Sequence, residues 1–281
     1  MKISKLIPLI LLFTSTNLLA QLMNTKEIDP VTLEKERKIR SENNISESFE
    51  YTHQLRSKDS ILKSHKTFNK NGELLTKTVF SSKQDTINYV VYEYERGKVV
   101  KSLILTKDKY ALVFLDIRNY SYDKNGNNTE IQFINKDGDT IYQKIDYYSN
   151  NLKKTLHTKW RNKTDFSITE EYFYSSNNLI KTKTYLPNEK LFSETAYQYD
   201  TIGNLIGNYR LYKGKKDVTN FYKYDENNNL IESGFEFSSN NSPNLYKTKY
   251  EYDKNNNVIK EYHTVDKRLK YDNTISYKKF E

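Results

Sequence analysis

The sequence predicts an all-β protein: an antiparallel meander of about eight hairpin repeats, with a period of about 26 residues, forming a twisted, curled or spiralling sheet behind one short N-terminal helix. Three observations carry this reading. Aromatic residues recur at nearly constant spacing, apolar and polar residues alternate within each copy, and each copy carries a turn rich in Asp, Asn or Gly.

At the N-terminus, Lys2 and Lys5 precede an apolar run from Leu6 to Phe13, followed by polar residues 14–17 and Leu18-Leu19-Ala20. That is the layout of a secretory signal, and its apolar part is far shorter than the ~20 residues needed to span a bilayer. Residues 1–20 are assigned as a signal peptide cleaved after Ala20, with a retained N-terminal anchor as the alternative. No later window is long and apolar enough to cross a membrane, so no transmembrane segment is expected after cleavage. The expected location is exported: periplasmic, cell-surface or extracellular.

Residues 21–47 read as a linker and a short helix, with Asp29 at a cap, Pro30 at the first helical position and good helix formers through Arg40. Residues 48–281 form the repeat domain. Its first hairpin pairs Ser48–Leu55 with Ile61–Phe68, and this hairpin or the helix is expected to cover the leading edge of the sheet, because open edges invite aggregation.

Within the repeats, Tyr120-Ser-Tyr122-Asp123, Tyr197-Gln-Tyr199-Asp200, Tyr222-Lys-Tyr224-Asp225 and Tyr250-Glu-Tyr252-Asp253 are each followed by a Gly/Asn turn, and weaker copies fall into register. Taking the second aromatic as anchor gives Phe68, Tyr94, Tyr122, Tyr148, Tyr174, Tyr199, Tyr224 and Tyr252, and Tyr277 fits a closing strand. Before each anchor the chain alternates with a period of two, as in Tyr246, Thr248, Tyr250 and Tyr252. The Asp residues at 123, 200, 225 and 253 suit turn capping, and Gly126 and Gly203 suit the positive φ that such turns need. A Leu/Ile/Val pair typically starts the return strand. A one-faced sheet of some seventeen strands cannot stay flat, so the tyrosine face is expected to turn inward.

The Tyr-Asp-x-x-Gly-Asn-Leu-Ile element resembles the YD-repeat, or rearrangement-hotspot, family of bacterial surface and secreted proteins, over roughly residues 68–280. The resemblance implies a spiralling antiparallel sheet, which large members wrap around a C-terminal toxin. This chain departs from the pattern: Asn204 stands where the family has Arg, Asn replaces Gly in residues 227–229 and 255–257, and neither a toxin segment nor the self-cleavage region follows Tyr277. For members with repeats alone, the family implies a wall-associated or sugar-binding role.

Composition narrows the chemistry. The chain has no cysteine, which removes disulfides and thiol catalysis, and stability must come from the hydrogen-bonded sheet. Its formal charge of +9, or +7 without Lys2 and Lys5, favours anionic partners, but the lysines are spread along the chain and no localised basic patch predicts nucleic-acid binding. None of the four histidines has metal-ligand spacing, and no cofactor or metal is expected. His53 and His65 fall nearly opposite each other in the proposed first hairpin, which leaves a two-ligand surface site conceivable. Glu170 and Glu171 point to opposite faces of one strand and cannot form a catalytic pair. Trp160, flanked by Lys159 and Arg161 in a variable loop, is the one non-repeated feature suited to stacking on a sugar, with an aromatic tucked against the sheet as the other reading.

The function expected is an exported, non-catalytic scaffold or binding module, with glycan or a cell-envelope component as the ligand class. The alternative is an accessory or neutralising partner of a secreted toxin, in which case the partner is another secreted protein. A carboxylate-based hydrolase ranks third.

Overall fold

A computed structural model of the chain describes residues 30–54, 59–107, 112–160, 167–237 and 244–280. The proposed signal segment and Arg161 lie outside them. One helix, α1 (Pro30–Glu42), leads into eighteen strands. They are β1 (Ile45–Gln54), β2 (Ser60–Phe68), β3 (Leu74–Phe80), β4 (Thr86–Glu95), β5 (Lys98–Lys107), β6 (Leu112–Tyr122), β7 (Asn128–Asn135), β8 (Thr140–Tyr147) and β9 (Lys153–Trp160). The second half comprises β10 (Ser167–Ser175), β11 (Asn178–Tyr185), β12 (Leu191–Tyr199), β13 (Leu205–Tyr212), β14 (Lys215–Tyr224), β15 (Leu230–Phe237), β16 (Asn244–Tyr252), β17 (Val258–Val265) and β18 (Arg268–Lys279).

Every strand pairs antiparallel with its chain neighbours, and β18 pairs with β1 from Ile45↔Lys279 to Gln54↔Tyr271. The meander therefore closes into an 18-stranded barrel. This corrects the expected twisted or spiralling sheet: full closure leaves no edge for a hairpin or helix to cover. The first strand also begins at Ile45, inside the segment read as linker.

The YD-type turns explain why the repeat has its composition. In each of four copies the Asp Oδ1 accepts two backbone N–H bonds, for Asp253 from Asn255 (2.8 Å) and Asn257 (2.9 Å), while Oδ2 accepts from the Asn257 side chain (2.9 Å). Asp123, Asp200 and Asp225 make the same three bonds. The turn then needs one left-handed residue, supplied by Gly126, Gly203, Asn228 or Asn256. Asn at that position adds something glycine lacks. The Asn228 and Asn256 side-chain oxygens accept bonds from Asn204 (3.1 Å) and Asn229 (3.2 Å) of the turn before, so amides link turn to turn along the rim. Asn204, where the family pattern has Arg, is one member of this chain.

After each such turn the return strand carries a bulge: Gln198 pairs with Gly207 but Tyr199 with Leu205, leaving Ile206 as the extra residue. Ile180, Ile206 and Ile231 occupy this place and are exposed, so the second member of the Leu/Ile pair is a bulge residue and the first faces the anchor. The carbonyl at the bulge is met by the next anchor. Tyr94, Tyr122, Tyr199, Tyr224, Tyr252 and Tyr277 donate their hydroxyls to the carbonyls of Leu74, Val99, Leu179, Leu205, Leu230 and Val258, at 2.7–3.1 Å. A tyrosine therefore stitches each hairpin to the one before it.

Tyr148 is not an anchor. Tyr147 donates to Asn128 O at 2.8 Å, whereas Tyr148 opens the turn, its N–H bonded to Leu152 O just as Asp123 bonds Asn127 O. The sequence misleads here because a tyrosine occupies the Asp position of that copy. Tyr252→Phe should cost about 1–2 kcal/mol, since it orphans the Leu230 carbonyl while leaving the ring in place. Urea unfolding of the variant tests this, and a stability equal to wild type would refute the stitch.

Helix α1 ends at Glu42, Asn44 beyond it adopts a left-handed conformation, and the helix does not run along the wall. Lys35 Nζ donates to Asn228 O (2.8 Å) in the β14–β15 turn, and Asn43 reaches Asn255 O (3.2 Å) in the β16–β17 turn. On its other flank Arg37, Arg40 and Ser41 donate to Asn71, Gly72 and Lys70 carbonyls in the β2–β3 turn, at 3.0–3.1 Å. A straight rod gripped by turns so far apart around a ring lies inside the ring. The helix thus crosses the YD-turn mouth of the barrel. Its Arg40 guanidinium sits 4.8 Å from the centre of the Phe68 ring, and Glu36 acts electrostatically on Tyr250, Tyr252 and Tyr277, which fixes the anchor face as the inner wall.

Candidate functional site: the inner wall

Because opposite residues of antiparallel strands share a face, the register carries the inward assignment from the anchors around the barrel. The inner wall so defined is mixed, with polar groups set among apolar ones such as Ile145 and Ile168. Among its buried members are Ser64, Ser102, Thr158, Thr182, Thr184, Ser193 and Asn273, alongside the tyrosine rows. A barrel of this strand number is too wide for side chains to fill, so these groups line an interior volume.

The densest polar cluster spans the closing seam. Asn273 of β18 is completely buried; its Oδ1 accepts from Thr52 (2.8 Å), and its Nδ2 donates to Glu50 (2.9 Å) and Glu261 (3.2 Å). Glu50 also accepts from Ser64 (2.9 Å) and pairs with Lys63 (3.0 Å). His263 stacks on Tyr271 and has Nε2 at 3.1 Å from Glu261 and Nδ1 at 3.1 Å from Thr248. Burial pushes the Glu261 carboxyl up, but the bonds from His263 and Asn273 outweigh it and hold the group below the usual carboxylate range. Hydroxyl, imidazole and carboxylate stand in series here, the order used to activate a nucleophile. Thr248, however, lies mid-strand, paired on both sides to Ser233 and His263, so the backbone around it is engaged in the ladder and offers no oxyanion donors.

Three further features mark the wall between β2 and β6. Lys66 and Lys77 face each other directly across β2 and β3. Burial, reinforced by the charges of Lys66 and Lys63, holds the Lys77 ammonium below its ordinary pKa. On β6, burial raises the Asp116 carboxyl despite Arg118 at 3.4 Å.

The tyrosine rows carry their own titration. Burial is the leading cause that raises Tyr94 and Tyr174 to about 12 and pushes Tyr252 and Tyr277 up as well. An unfolded tyrosine ionises near 10. A raised folded pKa means the stabilisation is fully present below about pH 10 and is lost as pH rises through about 12. Alkaline titration should therefore show tyrosinate absorbance rising cooperatively with loss of sheet dichroism between those values. Smooth ionisation near pH 10 with the sheet intact would contradict it.

The residues singled out in the sequence do not converge. Trp160 is the last residue of β9, with its backbone opposite Ile141, rather than part of a variable loop. Lys159 pairs with Tyr142 and is exposed. His53 and His65 are not opposite: His53 pairs with Ser60 and bonds Thr274 (3.1 Å), while His65 pairs with Phe49 and bonds Glu47 (2.7 Å). A one-residue bulge at Glu50/Tyr51 and the different hairpin register separate them. Among the described residues no group of three His, Asp or Glu could hold a metal. Glu170 and Glu171 do diverge, accepting from Tyr172 (2.7 Å) and Tyr185 (2.9 Å). The inner-wall groups Glu50, Lys66, Lys77, Glu261, His263 and Asn273 were missed: counting back by twos from Phe68 and Tyr277 places only Lys66 and Asn273 on the anchor face, and the other four follow only from the cross-strand register.

No known family profile matches the chain, and no curated protein is similar to it. Among solved structures it is similar to a TcdB2-TccC3-Cdc42 complex, at 16% identity and a TM-score of 0.32 over 79% of this chain and 14% of that one. The Photorhabdus luminescens Tc holotoxin pore matches at 16% and 0.32, over 79% and 13%. A porin-like protein from Bacteroides uniformis ATCC 8492 matches at 9% and 0.44, over 83% and 98%. This chain thus spans about a seventh of the toxin-complex chains. At such TM-scores these likenesses carry no argument about its fold or activity, and the YD-repeat motif remains a resemblance.

Proposed function

We propose that the chain is an exported, non-catalytic β-barrel binding module that takes a polar polymer, a glycan or cell-envelope component, against its inner wall. The observation that carries this is the wall itself: rows of tyrosine, serine, threonine and asparagine offer ring faces for stacking and hydroxyls and amides for hydrogen bonding, as sugar recognition requires. The outer wall supports a barrel that stands in water. It bears the ion pairs Lys101–Glu93, Lys144–Asp146, Lys181–Glu194 and Lys223–Glu232–Lys247 at 3.1–3.7 Å, whereas a lipid-facing wall needs an apolar band ~25 Å tall.

The test is binding of the full chain without its first 20 residues to a panel of neutral and acidic polysaccharides and to envelope fractions. Saturable binding that Tyr222→Ala or Tyr250→Ala weakens supports the reading, since both rings lie on the inner wall. No binding to any of the panel would sink it. Weakening by Trp160→Ala alone would move the ligand to the end of β9.

A further inference from the structure

We propose that Lys66 and Lys77 form an anion-binding point on the inner wall, and that the polymer taken by the barrel is an acidic polysaccharide whose carboxylate or sulfate groups dock there. The inference rests on the binding-module reading and specifies its ligand.

Two like charges directly opposite each other on neighbouring strands are about 4.5–5.5 Å apart at Cβ and destabilise the pair. Some lysines of this barrel have carboxylate partners: Lys63 has Glu50, Lys107 has Asp85, and Lys181 has Glu194. Many others stand in solvent, and Lys66 and Lys77 differ from both in facing each other on the inner wall. The inner-wall arginines have carboxylates of their own: Arg118 has Asp116 and Arg210 has Asp217. Among the described residues no carboxylate comes within ion-pair distance of Lys66 or Lys77.

Their surroundings offer none to spare. Glu50, the acidic group acting on Lys77, already holds Lys63, Ser64 and Asn273. On its far side Lys77 faces Val90, and Lys66 faces Ser48. Both lysines are half-buried rather than fully enclosed. Desolvation that weakens Lys77 as a cation would be reversed by a bound anion, which favours the charged form.

Two lysines paired directly across adjacent strands can both reach the oxygens of a single carboxylate or sulfate. The tyrosines beside them, Tyr277 across from Ser48 and Tyr92 on β4, provide ring faces for the sugar that carries it.

The experiment titrates the signal-free chain with oligogalacturonate, with a neutral oligosaccharide of the same length, and with short single-stranded DNA, at fixed ionic strength set by chloride. Wild type should bind oligogalacturonate, and K66Q/K77Q should bind it about tenfold more weakly or worse. Binding of neutral oligomers should be unchanged, and K77R should retain acidic binding. Unchanged circular dichroism certifies that the variants fold.

Acidic binding that K66Q/K77Q leaves intact overturns the lysine site. Neutral oligomers bound while oligogalacturonate is not overturns the inference but leaves the binding-module reading standing. Failure of every saccharide ends both. DNA bound more tightly than oligogalacturonate, with the same lysine dependence, overturns the polysaccharide assignment.

Discussion

Gly72→Ala is expected to destabilise the barrel by about 2–4 kcal/mol, roughly twice the cost of Gly203→Ala. Both glycines sit in YD-type turns with positive φ, +74° and +92°, and so share the backbone penalty. They differ in what a methyl group would meet. At Gly203 there is open space within 4 Å, whereas at Gly72 the new Cβ would run into the Arg37 carbonyl oxygen and the Ser41 backbone nitrogen of α1. The helix rests directly on this turn, held by Arg37, Arg40 and Ser41. It cannot retreat without breaking its grip on Asn228 and Asn255 across the mouth. Urea unfolding of the two variants side by side makes the measurement. Equal costs would mean that the helix does not press on the β2–β3 turn. Loss of helix docking should also expose the Phe68 ring, which Arg40 covers and which is 5% exposed.

The helix itself was legible in the sequence, because Pro30 and the run to Arg40 follow local rules that need no tertiary partner. So was the hairpin meander, since the period and the two-residue alternation are properties of each unit alone. Closure was not. Whether eighteen strands spiral or close depends on whether β18 meets β1 in register, over 200 residues away, and no local signal encodes that. The misplacement of the anchor at Tyr148 has a similar cause. The pattern Tyr-x-Tyr-Asp identifies its second tyrosine by the Asp that follows, and in Ile145-Asp146-Tyr147-Tyr148 that marker is missing. The hydroxyl-to-carbonyl stitch, which singles out Tyr147, becomes visible only once the bulge of the preceding hairpin is placed. The inner-wall lysines were lost to composition: in a chain with 45 Lys and Arg, two more on strands read as solvated charge. Their significance lies in facing each other, which is a matter of register.

Asn273→Leu should be the most damaging single change on the closing seam, at about 3–5 kcal/mol near neutral pH. The leucine fits the volume but cannot donate to Glu50 or Glu261 or accept from Thr52, and it leaves two carboxylates in a wall that excludes water from Asn273 altogether. The pH dependence distinguishes this cause from simple misfit. In the wild type Glu261 is held below its ordinary value, so its stabilisation is present above about pH 4.3 and lost as pH falls through its folded value. Removing the Asn273 donor raises the folded pKa of that carboxyl. Protonation then relieves the variant where it harms the wild type, and the gap between the two should narrow as pH falls below about 4. Hydrogen exchange places the damage in the structure: amides of β1 and β18 should lose protection first, because Thr52, Glu50 and Asn273 tie those two strands together across the point where the barrel closes. A penalty that stays constant with pH, or exchange that quickens evenly around the barrel, would assign Asn273 a packing role only and leave the closing register to the backbone ladder.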